Sequence, residues 1–126
     1  MKVLQIVEQA FRATGEEQDD TILWLSRSMR AVGAELHLLL NGNAAYYAVQ
    51  QGHLPPLRFG HWQQSHPANI EQDLQALIDS GVTVSVVEEA LVERGLAQKP
   101  SIKGLQRLPR KALASLYNSV DQVWQW

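Results

Sequence analysis

The sequence predicts an α/β sandwich on a mostly parallel sheet, and three observations carry that expectation. Short runs rich in Val, Leu and Ile alternate with segments of helical periodicity. Gly33, Gly81 and Gly95 each fall where one of those segments should stop. The 45% hydrophobic content of 126 residues suits one compact domain, residues 1–126, with a core that needs no cross-links.

The elements follow in order. Lys2 to Val7 is the first strand-like run. Thr14-Gly-Glu-Glu17 has the form of a capping box and predicts a helix starting near Gly15, whose Ile22, Leu25, Met29 and Val32 recur at helical spacing before Gly33. Glu35 to Leu40 is the second strand, and Asn41-Gly-Asn43 turns the chain into a helix over roughly Ala44 to Gln51. Gln51 to Ala68 has no regular pattern and carries Gly52, Pro55, Pro56, Gly60 and Pro67 among His53, His61, Trp62 and His66; a loop of that length is expected to be an interface or a lid. Asn69 caps a helix from Ile70 to Ser80 with Gln72 in the reciprocal position and Ile70, Leu74, Leu77 and Ile78 on one face. Val82 to Val87 is the third strand and leads into a short helix ending at Arg94-Gly95. A weak strand pattern lies between Ile102 and Leu108. Pro109 suits the first turn of a helix with Leu113, Leu116, Tyr117 and Val120 on its stripe, and Val120 to Trp126 closes the chain as a strand.

Charge and composition exclude several functions. With 11 basic and 13 acidic residues the net charge is −2, which favours neither nucleic acid nor an anionic membrane. Lys99, Lys103, Arg107, Arg110 and Lys111 lie close together, ordinarily a solvated connection and alternatively an anion or RNA surface. No segment approaches the ~20 apolar residues of a membrane span. The first apolar run is interrupted by Gln5 and closed by Glu8, unlike an export signal, so a cytoplasmic location is expected. There is no cysteine, hence no disulfide and no thiolate-bound zinc.

The stretch Gly81-Val-Thr-Val-Ser-Val-Val-Glu-Glu-Ala-Leu-Val-Glu-Arg-Gly-Leu96 resembles the third strand and following helix of the small DsrE/DsrF-like proteins, the family that includes subunits of bacterial sulfur-relay complexes. Met1 to Gln9 resembles the family's opening strand, Glu16 to Leu40 its long helix and second strand, Asn41-Gly-Asn-Ala44 its glycine turn, and Asp121-Gln-Val-Trp-Gln-Trp126 its closing strand. The resemblance implies a three-layer sandwich with about five strands and helices on both faces, a flavodoxin-like layout. It also implies association with intracellular sulfur metabolism, and assembly as a homo-oligomer or with related DsrE/DsrF-like subunits. In thiol-bearing members the last residue of the third strand is the cysteine that carries persulfide sulfur; here it is Val87. A persulfide needs a thiolate, which the thioethers of Met1 and Met29 cannot supply. The resemblance therefore points to a thiol-independent binding or assembly subunit without a cofactor, and the alternative is a small enzyme or ligand sensor.

Parallel α/β sheets bind ligands beyond the carboxyl ends of their strands. The candidate ligand-binding residues delivered there are Asn41, Gly42, Asn43, Val87, Glu88, Glu89 and Arg94, with a small anion or metabolite as the ligand class. The plain reading of Asn41 to Asn43 is a strand-to-helix turn with Asn43 as cap. Arg94 is expected to reach back to Glu88 or Glu89, or to close its own helix. Glu16, Glu17, Asp19 and Asp20 are read as complementing a helix dipole. His61 and His66 lack the spacing of a helical metal pair, His37 reads as a quiet strand residue, and neither Ser85 nor Ser65 lies in a nucleophile elbow. Trp124 and Trp126 fall on one face of the last strand, at the body or at a neighbouring subunit.

Overall fold

The alternating runs become a five-stranded parallel sheet in a computed structural model that describes residues 1–11, 19–50 and 55–126. The order of elements is β1 (Lys2–Val7), α1 (Thr21–Ala31), β2 (Glu35–Leu40), a 3-10 helix (Gly42–Ala48), β3 (Arg58–Phe59), β4 (Trp62–Gln63), α2 (Ile70–Asp79), β5 (Thr83–Val87), α3 (Glu88–Glu93), β6 (Gln106–Leu108), α4 (Leu113–Asn118) and β7 (Gln122–Gln125). The main sheet runs β6-β5-β2-β1-β7, and β3 and β4 form a separate antiparallel hairpin.

From β1 to β6 the chain steps in one direction, and from β6 to β7 it returns across the sheet. Right-handed crossovers then place α1 and α2 on one face and α4 on the other. Gln5, Leu38 and Val84 stand in register, on the face where Gln5 reaches Ser26 of α1 at 2.8 Å. His37, Leu39 and Ser85 point to the opposite face. The near-continuous apolar runs of β1, β2 and β5 are what a strand covered on both faces requires: Leu4, Leu38, Leu39, Leu40, Val84 and Val86 are all buried.

Several boundaries differ from the sequence reading. The helix expected from Gly15 is observed as α1 from Thr21, because Asp20 accepts from the N–H groups of Ile22 (2.9 Å) and Leu23 (3.2 Å) and so fixes its start. The Thr14–Glu17 capping-box motif lies outside the described residues. Residues 55–68 of the irregular segment contain the short hairpin, whose exposed Phe59 and Trp62 rings stack 5.9 Å apart. The last strand is shorter than 120–126, and the weak fifth strand is confined to Gln106–Leu108. Asn69 caps α2 as its position implies, accepting from Gln72 N–H at 3.0 Å.

Candidate functional site

The carboxyl ends of β1, β2 and β5 bring Glu8, Asn41 and Val87 to one rim of the sheet. Gly42 is the turn residue: its φ is +53°, and an added Cβ would stand 3.3 Å from the Glu8 carbonyl oxygen. Both facts favour glycine there. The cap is Asn41 rather than Asn43, because the Asn41 side-chain oxygen accepts from Gly42 N–H at 2.9 Å. The turn spends its own donors. Asn43 N–H bonds to Glu8 O at 3.1 Å and Ala44 N–H to Asn41 O at 3.0 Å.

Asn43 is instead the acceptor for Arg94. Its side-chain oxygen takes the Arg94 Nε (3.2 Å) and Nη2 (3.1 Å) groups, while Arg94 Nη1 donates to Ala90 O at 3.2 Å. The arginine thus closes the end of α3 and clamps it to the turn after β2. The carboxylate near Arg94 is that of Glu93, 3.7 Å from Nη1, rather than Glu88 or Glu89, which engage the 107–110 segment. Glu88 stands 3.7 Å from Arg107 Nη1. Glu89 accepts from the backbone N–H of Arg110 at 2.9 and 3.0 Å, and those bonds hold its carboxyl below the usual range. Val87 ends β5 with its side chain fully buried in the core. Of the seven candidate residues, then, Asn41, Gly42, Asn43 and Arg94 form one hydrogen-bonded unit. Glu88 and Glu89 serve the contact with the 107–110 segment, and Val87 belongs to the core.

Within the basic run, Arg107 has a structural role. Arg107 donates to Ser101 Oγ (2.9 Å), Ala97 O (2.8 Å) and Lys99 O (2.8 Å), tying together the connection between α3 and β6. Among the described residues, no three His, Asp or Glu side chains gather as a metal site.

Of two buried polar groupings, sequence reasoning missed the first entirely and, for the second, read His37 as a quiet strand residue without its partner. At the first, Tyr47 in the 3-10 helix donates its hydroxyl proton to Asp20 at 2.7 Å and accepts the N–H of Phe11 at 2.6 Å. Burial and the Asp20 bond raise the Tyr47 pKa, so the phenol stays protonated. Phe11, at φ +59°, is held in the left-handed region, with its ring edge-on to Tyr47 at 4.9 Å. At the second, His37 Nε2 lies 2.8 Å from Ser85 Oγ between β2 and β5. Burial, helped by the charge on Lys2, lowers the His37 pKa to about 4, so the imidazole is neutral near pH 7. Ser85 is itself fully buried, which makes the pair a cross-strand tie rather than an exposed nucleophile and base. Every buried side-chain N or O atom among the described residues has a partner.

Comparison with known proteins agrees with this architecture. Residues 1–125 match the model of the DsrE/DsrF-like family. The crystal structure of the ychN protein from E. coli is similar at a TM-score of 0.69 with 21% identity, covering 100% of both chains. The MTH1491 protein of unknown function from Methanobacterium thermoautotrophicum is similar at 0.65 with 8% identity, covering 98% of this chain and 97% of that one. No curated protein matches the chain.

Proposed function

Because this chain belongs to the DsrE/DsrF-like family, we propose that it is a thiol-independent binding or assembly subunit associated with intracellular sulfur metabolism. One observation carries the reading: a chain that matches the family over residues 1–125 has a buried valine, Val87, where the resemblance places the sulfur-carrying cysteine, and it contains no thiol. Sulfur cannot be held covalently without a thiolate. What remains for such a domain is to bind, or to complete an assembly of its own copies or of related subunits.

Exposed aromatics support the assembly half of the proposal. Trp24 is 56% exposed on α1, Phe59 and Trp62 cap the hairpin, and Trp126 is 43% exposed beside the closing strand. Apolar surface of this kind commonly marks contacts with another chain. Light scattering across micromolar concentrations is expected to give a mass above that of the 14.1 kDa chain. A monomer at every concentration removes the self-assembly reading.

For the binding half, the proposed contact is the Asn43–Arg94 clamp, framed by Asn41, Gly42 and the Val87–Glu89 segment. Support comes from the positive charge of Arg94 at this rim, although Asn43 and Ala90 engage its donors and Glu93 Oε2 stands 3.7 Å from Nη1, so an anion would compete with those contacts. Sulfate titrated into labelled protein should shift the amides of 41–43 and 88–94 first, and Asn43→Ala should weaken that response.

A further inference from the structure

We propose that the outer edge of β7 is a self-pairing strand through which two copies of this chain join their sheets antiparallel, with Trp124 of each copy opposite the other. The inference rests on the self-assembly reading above and assigns it a surface, a register and a symmetry.

Among the described residues, β7 is paired on one side only. Its register with β1 is Gln122 to Val3, Val123 to Leu4, Trp124 to Gln5 and Gln125 to Ile6. Trp126 N–H bonds to Ile6 O at 2.9 Å and Glu8 N–H to Trp126 O at 3.0 Å. In a parallel ladder, alternate residues direct both backbone groups to the same neighbour. Trp124 and Trp126 therefore face β1, and Val123 and Gln125 direct their N–H and C=O groups outward. Among the described residues, no strand pairs with that side.

The two sheet edges are managed differently. At β6, the opposite edge, Arg107 stands mid-strand and Pro109 follows immediately, two devices that discourage strand addition. β7 reads Gln-Val-Trp-Gln, with neither a charge nor a proline. Its flanks are apolar on both faces: Val123 is 45% exposed on one, and Trp126, partly exposed, borders the other.

Antiparallel pairing about a two-fold axis at Trp124 satisfies this edge with itself. Val123 of one copy faces Gln125 of the other, and each such pair exchanges two backbone hydrogen bonds. Trp124 meets its counterpart in the non-hydrogen-bonded position, where side chains approach closest and aromatic pairs contribute most. The contact is isologous, so it closes at two copies and leaves no new edge. A strand this short falls below the ~1,200 Å² of a stable interface unless the flanking aromatics add to it, so the dimer should be concentration-dependent.

The absence of cysteine supplies the probe, since one introduced thiol can cross-link only to the same residue of a second copy. Trp124→Cys should form a disulfide-linked dimer under mild oxidation, and Val123→Cys, which faces Gln125 and not itself, should cross-link far less. Val123→Pro removes the outward N–H and Val123→Lys puts a charge on the half-exposed edge, so both should make the protein monomeric in light scattering, with unchanged circular dichroism. Cross-linking at 124 with loss of the dimer in both Val123 variants is the result expected. If wild type and both Val123 variants associate equally, the edge assignment is wrong while self-assembly stands. If wild type is monomeric throughout, both are wrong.

Discussion

Asp20→Ala is expected to lower the stability of the fold by about 3 kcal/mol, through two losses at one carboxylate. The side chain caps α1 through the N–H groups of Ile22 and Leu23, and caps of this kind are worth about 1 kcal/mol. It also accepts the buried Tyr47 hydroxyl proton at 2.7 Å, and a buried donor left without its acceptor costs a further ~1–3 kcal/mol. Tyr47→Phe separates the two contributions, because it keeps the cap and removes the hydroxyl. It should cost less than Asp20→Ala while freeing the Phe11 segment, whose left-handed backbone is held by that hydroxyl. Urea midpoints for the two variants provide the check. Equal stability of wild type and Asp20→Ala would mean that this buried network contributes nothing.

The second large effect is a loss of stability in mild acid caused by His37. Its pKa in the folded protein is about 4, against 6.5 for an unperturbed histidine, because burial opposes the charged form. Above the unfolded value both states are neutral and stability is at its full level. As pH falls from about 6.5 towards 4, the unfolded chain takes up a proton that the folded chain resists, so stability declines across that window. A displacement of this size corresponds to at most about 3 kcal/mol. His37→Gln leaves a hydrogen-bonding group for Ser85 and removes the titration. Denaturation at about pH 7 and about pH 4.5 should therefore show a smaller acid loss in the variant than in wild type, with the carboxylates common to both subtracting out. Parallel losses in the two proteins would contradict the assignment.

Both effects come from contacts that the sequence conceals, whereas the architecture was readable. The apolar runs at Lys2–Val7, Glu35–Leu40 and Thr83–Val87 are buried on both faces, so hydrophobicity alone marks them. Asn69 and Gln72 were legible because a cap acts within one helical turn. Asp20, the acid directly preceding Thr21-Ile22-Leu23, caps α1 by the same local logic, while Thr14–Glu17 lies outside the described residues. The Asn43–Arg94 clamp joins residues 51 apart, and His37 meets Ser85 across 48. No local pattern encodes such pairs, which depend on which strands become neighbours and in what register. Strand order likewise decides that β7 is an edge, and the run Gln122–Gln125 does not announce it.

The central claim is that this family domain works without carrying sulfur covalently, and intact-mass measurement after incubation with a persulfide donor tests it most directly. The chain offers the donor no thiol, and the side chain at the end of β5 is a fully buried valine. The mass should remain that of the unmodified chain at every donor concentration, under conditions in which a thiol-bearing protein gains sulfur. A reproducible covalent gain of sulfur that is removed by a reducing thiol would contradict the account.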